Sequence, residues 1–194
     1  MVATLYHGHR LIMPHSASSK LLILDVDETL IFGTELQLEH QPDFQVFGYS
    51  IYRRPGVDEF LTFCFDHFQV AIWSSSSEDY VQAVAAHLIP AGHQLQFIWS
   101  RKQCTLSYDY DLRDHFWTKK LVKAKRKGYN LEQMIVVDDS PEKHVHNYGN
   151  LVKIKAFHGE LDDDELSHLM RYLEHLDQFP NIRTIEKRWW RNSF

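Results

Sequence analysis

Five short apolar runs constrain the fold more than any other feature of the chain. They are "KLLILD" (20–25), "QVAIW" (69–73), "QLQFIW" (94–99), "QMIVVD" (133–138) and "LVKIKAF" (151–157). Each has the length of a strand and polar neighbours, the pattern of strands buried on both faces. Helical spacing fills the intervals. Val57, Phe60, Leu61, Cys64, Phe65 and Phe68 recur behind a Pro-Gly start and predict an amphipathic helix over 54–68. "EDYVQAVAAHL" (78–88) predicts a second, "WTKKLVKAKRKG" (117–128) a third ending at Gly128, and 162–176 a fourth with Leu166, Leu169, Met170, Leu173 and Leu176 inward. Alternating strand and helix implies right-handed crossovers, hence an α/β, doubly wound, mainly parallel sheet with helices on both faces. Ligands in such a sheet bind beyond the carboxyl ends of the strands.

The 194 residues suit one domain, and 44% hydrophobic content supports a sizeable core without a run long enough to span a bilayer. A net charge of −5 argues against bulk nucleic-acid binding. Two cysteines, Cys64 and Cys104, suit a reducing compartment, and the first twenty residues lack the apolar core of a signal peptide. The expected location is cytoplasmic, or nuclear in a eukaryote, and no membrane partner is expected. Among the 13 histidines there is no HExxH or paired Cys/His spacing, so His144 and His146 read as surface or packing residues. Residues 1–19 read as an N-terminal arm from their Ser, His and Pro content.

The unusual polar residues collect where the strands end. Asp25 closes the first run, with Asp27 and Glu28 just beyond. Ser74 follows the second run, and Asp138 and Asp139 close the fourth. Carboxylates beside a core are costly unless something positive accompanies them, and a metal ion is the simplest candidate. Taken alone, "DVDETL" is equally a pair of loop acids with Thr29 as a cap, and "VVDDSP" equally a capped helix start. Two acid-terminated strands in one chain favour the catalytic reading. "WSSSS" offers a hydroxyl and free backbone N–H groups ahead of a helix, which suits an anion, although serine runs are also ordinary loop. The basic run from Lys119 to Lys127 is mostly a solvated helix face. Lys119 or Lys120 is the exception, because a phosphate-handling metal site needs a fixed cation.

Together "LDVDETL", "RRPGVDEFL", "WSSSS", the "TKKL" lysine and "VVDDSP" resemble the haloacid-dehalogenase superfamily, in particular the branch of RNA polymerase II C-terminal-domain phosphatases and NLI-interacting-factor-like phosphatases. The resemblance covers residues 20–178 in the expected order and leaves 179–194 as a basic, aromatic tail. It implies that Asp25 is the nucleophile that becomes an aspartyl phosphate and that Asp27 protonates the leaving oxygen and later activates water. Ser74 and Lys119 are implied to bind phosphate. Mg²⁺ is implied at Asp25, the Asp27 main-chain carbonyl and Asp139, with Asp138 orienting the lysine or a metal-bound water and Thr29 steadying the loop.

The chain departs from the family pattern at Ser74, where threonine is frequent, and at Lys120, where aspartate is frequent. The intervals 30–53 and 90–117 are too short for a large lid, and Phe44, Phe47, Tyr49 and Tyr52 predict a small two-stranded flap. The resulting expectation is a Mg²⁺-dependent phosphatase acting on phosphoserine or phosphothreonine in a protein. The alternatives are a phosphatase of a small metabolite or nucleic-acid end, and a non-catalytic phosphopeptide-binding module.

Overall fold

The computed structural model describes residues 20–109, 111 and 113–194, so the predicted arm (1–19) lies outside the described residues. Five parallel strands form the central sheet: β1 (Leu21–Leu24), β5 (Gln69–Trp73), β6 (Ile98–Trp99), β9 (Met134–Asp138) and β10 (Leu151–Lys153). Their order is β10-β9-β1-β5-β6. The chain winds outward from β1 to one side and returns to β9 on the other, which makes the carboxyl end of β1 the topological switch point.

Every residue of β1 and β9 is buried, as the unbroken apolar runs require. Alternate residues serve opposite faces. Leu22, Leu24, Val70, Ile72, Ile135 and Val137 pack with helices α1 (Val57–His67), α2 (Glu78–Leu88) and α4 (Glu165–Asp177). Leu21, Ile23, Ala71, Trp73 and Val136 pack with Trp99, with Leu121 and with Ala124, the last in the short helix α3 (Val122–Lys125). Burying each such aliphatic side chain contributes about 1.5–3 kcal/mol before conformational entropy is counted. Cys64 and Cys104 are buried free thiols. Among the described residues no helix is long and apolar enough to cross a membrane.

Several boundaries differ from the sequence expectation. The flap has three strands, β2 (Ile31–Thr34), β3 (Phe44–Val46) and β4 (Tyr49–Arg53), because residues 31–34 leave the acidic turn extended and pair with β4. The third helix does not begin at Trp117. Two strands, β7 (Thr105–Asp109) and β8 (Asp114–Thr118), pair as a hairpin, and the helix there is confined to Val122–Lys125 among the described residues. "DHFWT" is rich in strand-forming residues, and cross-strand contacts such as that between the diagonal neighbours Ser107 and Thr118, their hydroxyls 3.0 Å apart, outweigh the helical periodicity. The third and fifth strands shrink to two and three residues. Residues beyond 178 fold back on the core: Ile182 and Trp190 are buried, and the Trp190 ring stacks on Tyr172 with centroids 5.3 Å apart.

Candidate active site

The acidic turn begins where β1 runs out. Asp25 N–H donates to the Val137 carbonyl at 3.0 Å, which sets Asp25 beside Asp138 at the adjacent strand end. The chain then turns on Val26, whose carbonyl accepts from Leu30 N–H at 2.8 Å. Glu28 takes φ 60°, a left-handed conformation unusual for a side-chain-bearing residue and typical of functional turns. Its carbonyl is tied to Phe157 N–H at 2.8 Å.

Asp25 is 2% exposed, and neither of its carboxylate oxygens accepts a hydrogen bond of ordinary geometry among the described residues. It nevertheless lies between two ammonium groups, Lys119 Nζ at 2.8 Å from Oδ1 and Lys143 Nζ at 3.5 Å from Oδ2. Burial, reinforced by the charge of Asp138, pushes the Asp25 carboxyl up to about 7 in spite of both lysines. Asp138 behaves oppositely. Its burial disfavours charge, but Lys119 at 2.6 Å, His144 Nε2 at 2.8 Å and Lys143 outweigh it and hold the carboxyl far below the usual range. His144 is itself kept neutral by burial, so its Nε2 donates to Asp138.

Asp139 accepts from Thr29 Oγ1 at 3.2 Å and from Ser140 Oγ at 2.9 Å. Carboxylate oxygens of Asp25, Asp138 and Asp139 lie within 4.8 Å of one another, close enough to share one cation. Oxygen-only ligands at this spacing suit a hard divalent ion such as Mg²⁺.

Asp27 points to the neighbouring strand end. Its Oδ2 accepts from Ser76 Oγ at 2.8 Å and Ser74 Oγ at 3.4 Å, and its Oδ1 from the Tyr80 hydroxyl at 2.8 Å. Burial and the Asp27 charge push the Tyr80 phenol well above its ordinary range, so it remains a donor. Glycine at position 33 permits this contact, since a Cβ there would stand 2.7 Å from the Tyr80 oxygen. Ser74 is 1% exposed, and its Oγ also accepts Ser76 N–H at 3.0 Å.

The structure therefore brings Asp25, Thr29, Lys119, Asp138 and Asp139 into one cluster, with Asp27 and Ser74 in a hydroxyl-rich group alongside. Lys120 is half-buried and enters no ion pair among the described residues. Sequence reasoning missed Lys143, His144, Ser76 and Tyr80. Lys143 sits two residues beyond the Ser-Pro of the second acidic segment, which was the available signal. A groove of about 510 Å³ opens beside Asp27, walled by Phe47 and Tyr49 of the flap, by Tyr80, and by Arg101.

The family model of NLI interacting factor-like phosphatases matches residues 20–183. CTD small phosphatase-like protein 1 of Caenorhabditis elegans is 27% identical, over 88% of this chain and 34% of that protein. A probable C-terminal domain small phosphatase of Dictyostelium discoideum is 26% identical, over 89% of this chain and 56% of the relative. An uncharacterized Schizosaccharomyces pombe protein is 29% identical, over 86% of this chain and 50% of the relative. The chain thus spans about half the length, or less, of these curated relatives. Fcp1, an essential RNA polymerase II CTD phosphatase, shares the fold at a TM-score of 0.53 and 19% identity, over 81% of this chain and 47% of Fcp1.

Proposed function

Because the chain belongs to the NLI interacting factor-like phosphatase family, we propose that it hydrolyses phosphomonoesters through an aspartyl phosphate on Asp25, with Mg²⁺ as cofactor. The proposed substrate is phosphoserine or phosphothreonine in a protein segment. One observation carries the reading: a buried carboxylate without hydrogen bonds, Asp25, stands between two ammonium groups at the shared end of two acid-terminated strands.

In the first step an Asp25 oxygen attacks phosphorus in line with the ester bond. The P–O ester bond breaks, and the leaving oxygen takes a proton from Asp27. In the second, Asp27 accepts a proton from water, the water oxygen attacks phosphorus, and the bond to Asp25 breaks to release inorganic phosphate. Ser76 and Tyr80 hold the Asp27 carboxyl in orientation. Asp25, Asp139 and the Asp27 main-chain carbonyl would hold Mg²⁺, while Asp138 fixes Lys119. The bound ion would screen the repulsion between carboxylate and phosphate.

A protein substrate is favoured by the open groove. Among the described residues no large lid encloses the site, so a small ester has few groups by which to be held. A peptide can spend binding energy along Phe47, Tyr49 and Arg101.

A chromogenic phosphate ester tests the chemistry. Turnover is expected with Mg²⁺, to vanish with EDTA and to fall to background in Asp25→Asn, because an amide neither attacks phosphorus nor serves as an anionic ligand. Full activity in that variant overturns the mechanism. Substrate class is read from kcat/KM for phosphoserine peptides, nucleotides and sugar phosphates at one Mg²⁺ concentration. A metabolite or nucleic-acid end exceeding every peptide by about tenfold, or roughly 1.4 kcal/mol, overturns the protein assignment alone.

A further inference from the structure

Lys119 has little freedom to follow a substrate. Its ammonium is shared between Asp25 Oδ1 at 2.8 Å and Asp138 Oδ2 at 2.6 Å, and its side chain is 1% exposed. One of its N–H donors is committed to Asp138 in a hydrogen bond, and the ion pair with Asp25 holds the ammonium from a second side.

Lys143 reaches the same carboxylate from another element, the 3-10 turn Pro141–His144. Its Nζ lies 3.5 Å from Asp25 Oδ2 and 3.9 Å from Asp138 Oδ1, the oxygens of those two carboxylates that Lys119 does not meet. At those separations the attraction is ionic, and no hydrogen bond from this Nζ is found among the described residues. The side chain keeps 20% exposure, against 1% for Lys119. Its backbone does not drift, because Lys119 N–H donates to the Lys143 carbonyl at 2.8 Å and locks the two lysines together. Burial works against its charge, but Asp25 and Asp138 outweigh that and keep it protonated.

We propose that Lys143 is a second phosphate-contacting cation, the one that takes up the non-bridging oxygens of the phosphoryl group transferred to Asp25. The inference rests on the phosphatase reading above and assigns the substrate contact to a lysine outside the residues that the family resemblance supplied. Charge supplies the reason. Asp25, Asp138 and Asp139 against Lys119 alone leave two negative charges, which one divalent ion would neutralise. A phosphomonoester arrives with a charge of about −1.5 to −2. Lys143 tips the metal-loaded site from neutral to positive, and it does so with donors not yet spent on protein acceptors.

The same placement predicts opposite effects on two ligands. Lys143 helps an anion bind but repels a divalent cation from the oxygens that it faces. The test compares the full chain with Lys143→Met and Lys143→Arg, measuring inorganic phosphate binding with Mg²⁺ present, Mg²⁺ binding alone, and thermal melting. The expected result for Lys143→Met is a phosphate Kd raised about tenfold or more, a Mg²⁺ Kd unchanged or lowered, and a kcat/KM reduced by a similar or larger factor. Lys143→Arg should recover most of the phosphate affinity. A phosphate Kd within about twofold of wild type in Lys143→Met overturns the inference. Equal weakening of phosphate and Mg²⁺ binding also overturns it, since that is the signature of a structural prop. If the Met variant melts early, Lys143→Gln replaces it under the same criteria. Wild-type protein that hydrolyses no phosphomonoester would sink the phosphatase reading, while the phosphate-binding difference would still judge Lys143 separately.

Discussion

Arg54 and Lys119 are both cations buried against carboxylates, and they sit in opposite kinds of surroundings. The Arg54 guanidinium meets Asp163 in two parallel hydrogen bonds of 2.7 and 2.8 Å, donates to the carbonyls of Thr29 at 3.1 Å and Lys155 at 2.9 Å, and faces the Phe157 ring at 5.4 Å. Around Lys119 the arithmetic does not close: Asp25 is buried with both oxygens lacking a hydrogen bond. A satisfied buried pair holds structure, whereas an unsatisfied one keeps capacity for a ligand. The two regions are also joined. Arg54 grips the Thr29 carbonyl, and the Thr29 hydroxyl in turn donates to Asp139 at 3.2 Å. The closed cluster braces the open one.

The comparison can be broken from the open side by Asp27→Asn. Turnover should fall about 10²- to 10⁴-fold with loss of the acid, while Mg²⁺ affinity and folding stability stay near wild type. Steady-state kinetics together with metal titration read both. A variant that lost Mg²⁺ affinity but kept its metal-loaded rate would contradict the role assigned to Asp27.

From the closed side, Arg54→Leu should cost about 3–5 kcal/mol of stability in urea unfolding, because it strands Asp163, whose side chain is 2% exposed. The double change Arg54→Leu with Asp163→Leu should recover much of that loss. A single variant as stable as wild type would mean that the two clusters do not differ in the way described.

A smaller effect sharpens the contrast through pH. In metal-free protein the folded Asp25 carboxyl keeps its proton up to about 7, against 3.8 for the ordinary side chain. Between these values the folded state binds the extra proton, so stability falls as pH rises through the window. The stability difference between wild type and Asp25→Asn should therefore move against wild type from pH 4 to pH 7 and level off above, a window set by the same two values. A difference that is flat, or that moves the other way, would show that Asp25 is not held in an uncompensated site.

Much of this architecture is legible in the residues themselves. Apolar runs of strand length must be buried, so the acids that terminate two of them, Asp25 and Asp138, are forced to the sheet edge and beside one another once the runs pair. Periodicity alone placed α1, α2 and α4 to within a few residues. The hairpin β7–β8 was not legible, since "FWTKKL" satisfies a helical spacing and its strand state depends on pairing with residues 105–109. Nor was the tail, whose Trp190 donates its Nε1–H to the Lys153 carbonyl at 2.7 Å in a contact with no local sequence signal.

The sequence by itself determined which carboxylates end the strands, because burying an apolar run is a local demand that each segment makes of any fold. Only the tertiary structure decided what meets those carboxylates. Lys143 looks like a solvated residue after a proline, His144 like a surface or packing histidine, and Tyr80 like a core position of an amphipathic helix. Their roles come from distances across the chain: Lys143 to Asp25, His144 to Asp138, and Tyr80 past Gly33 to Asp27. Such contacts have no period to read, since their energy depends on the separation and desolvation of charges that meet only when the sheet has closed.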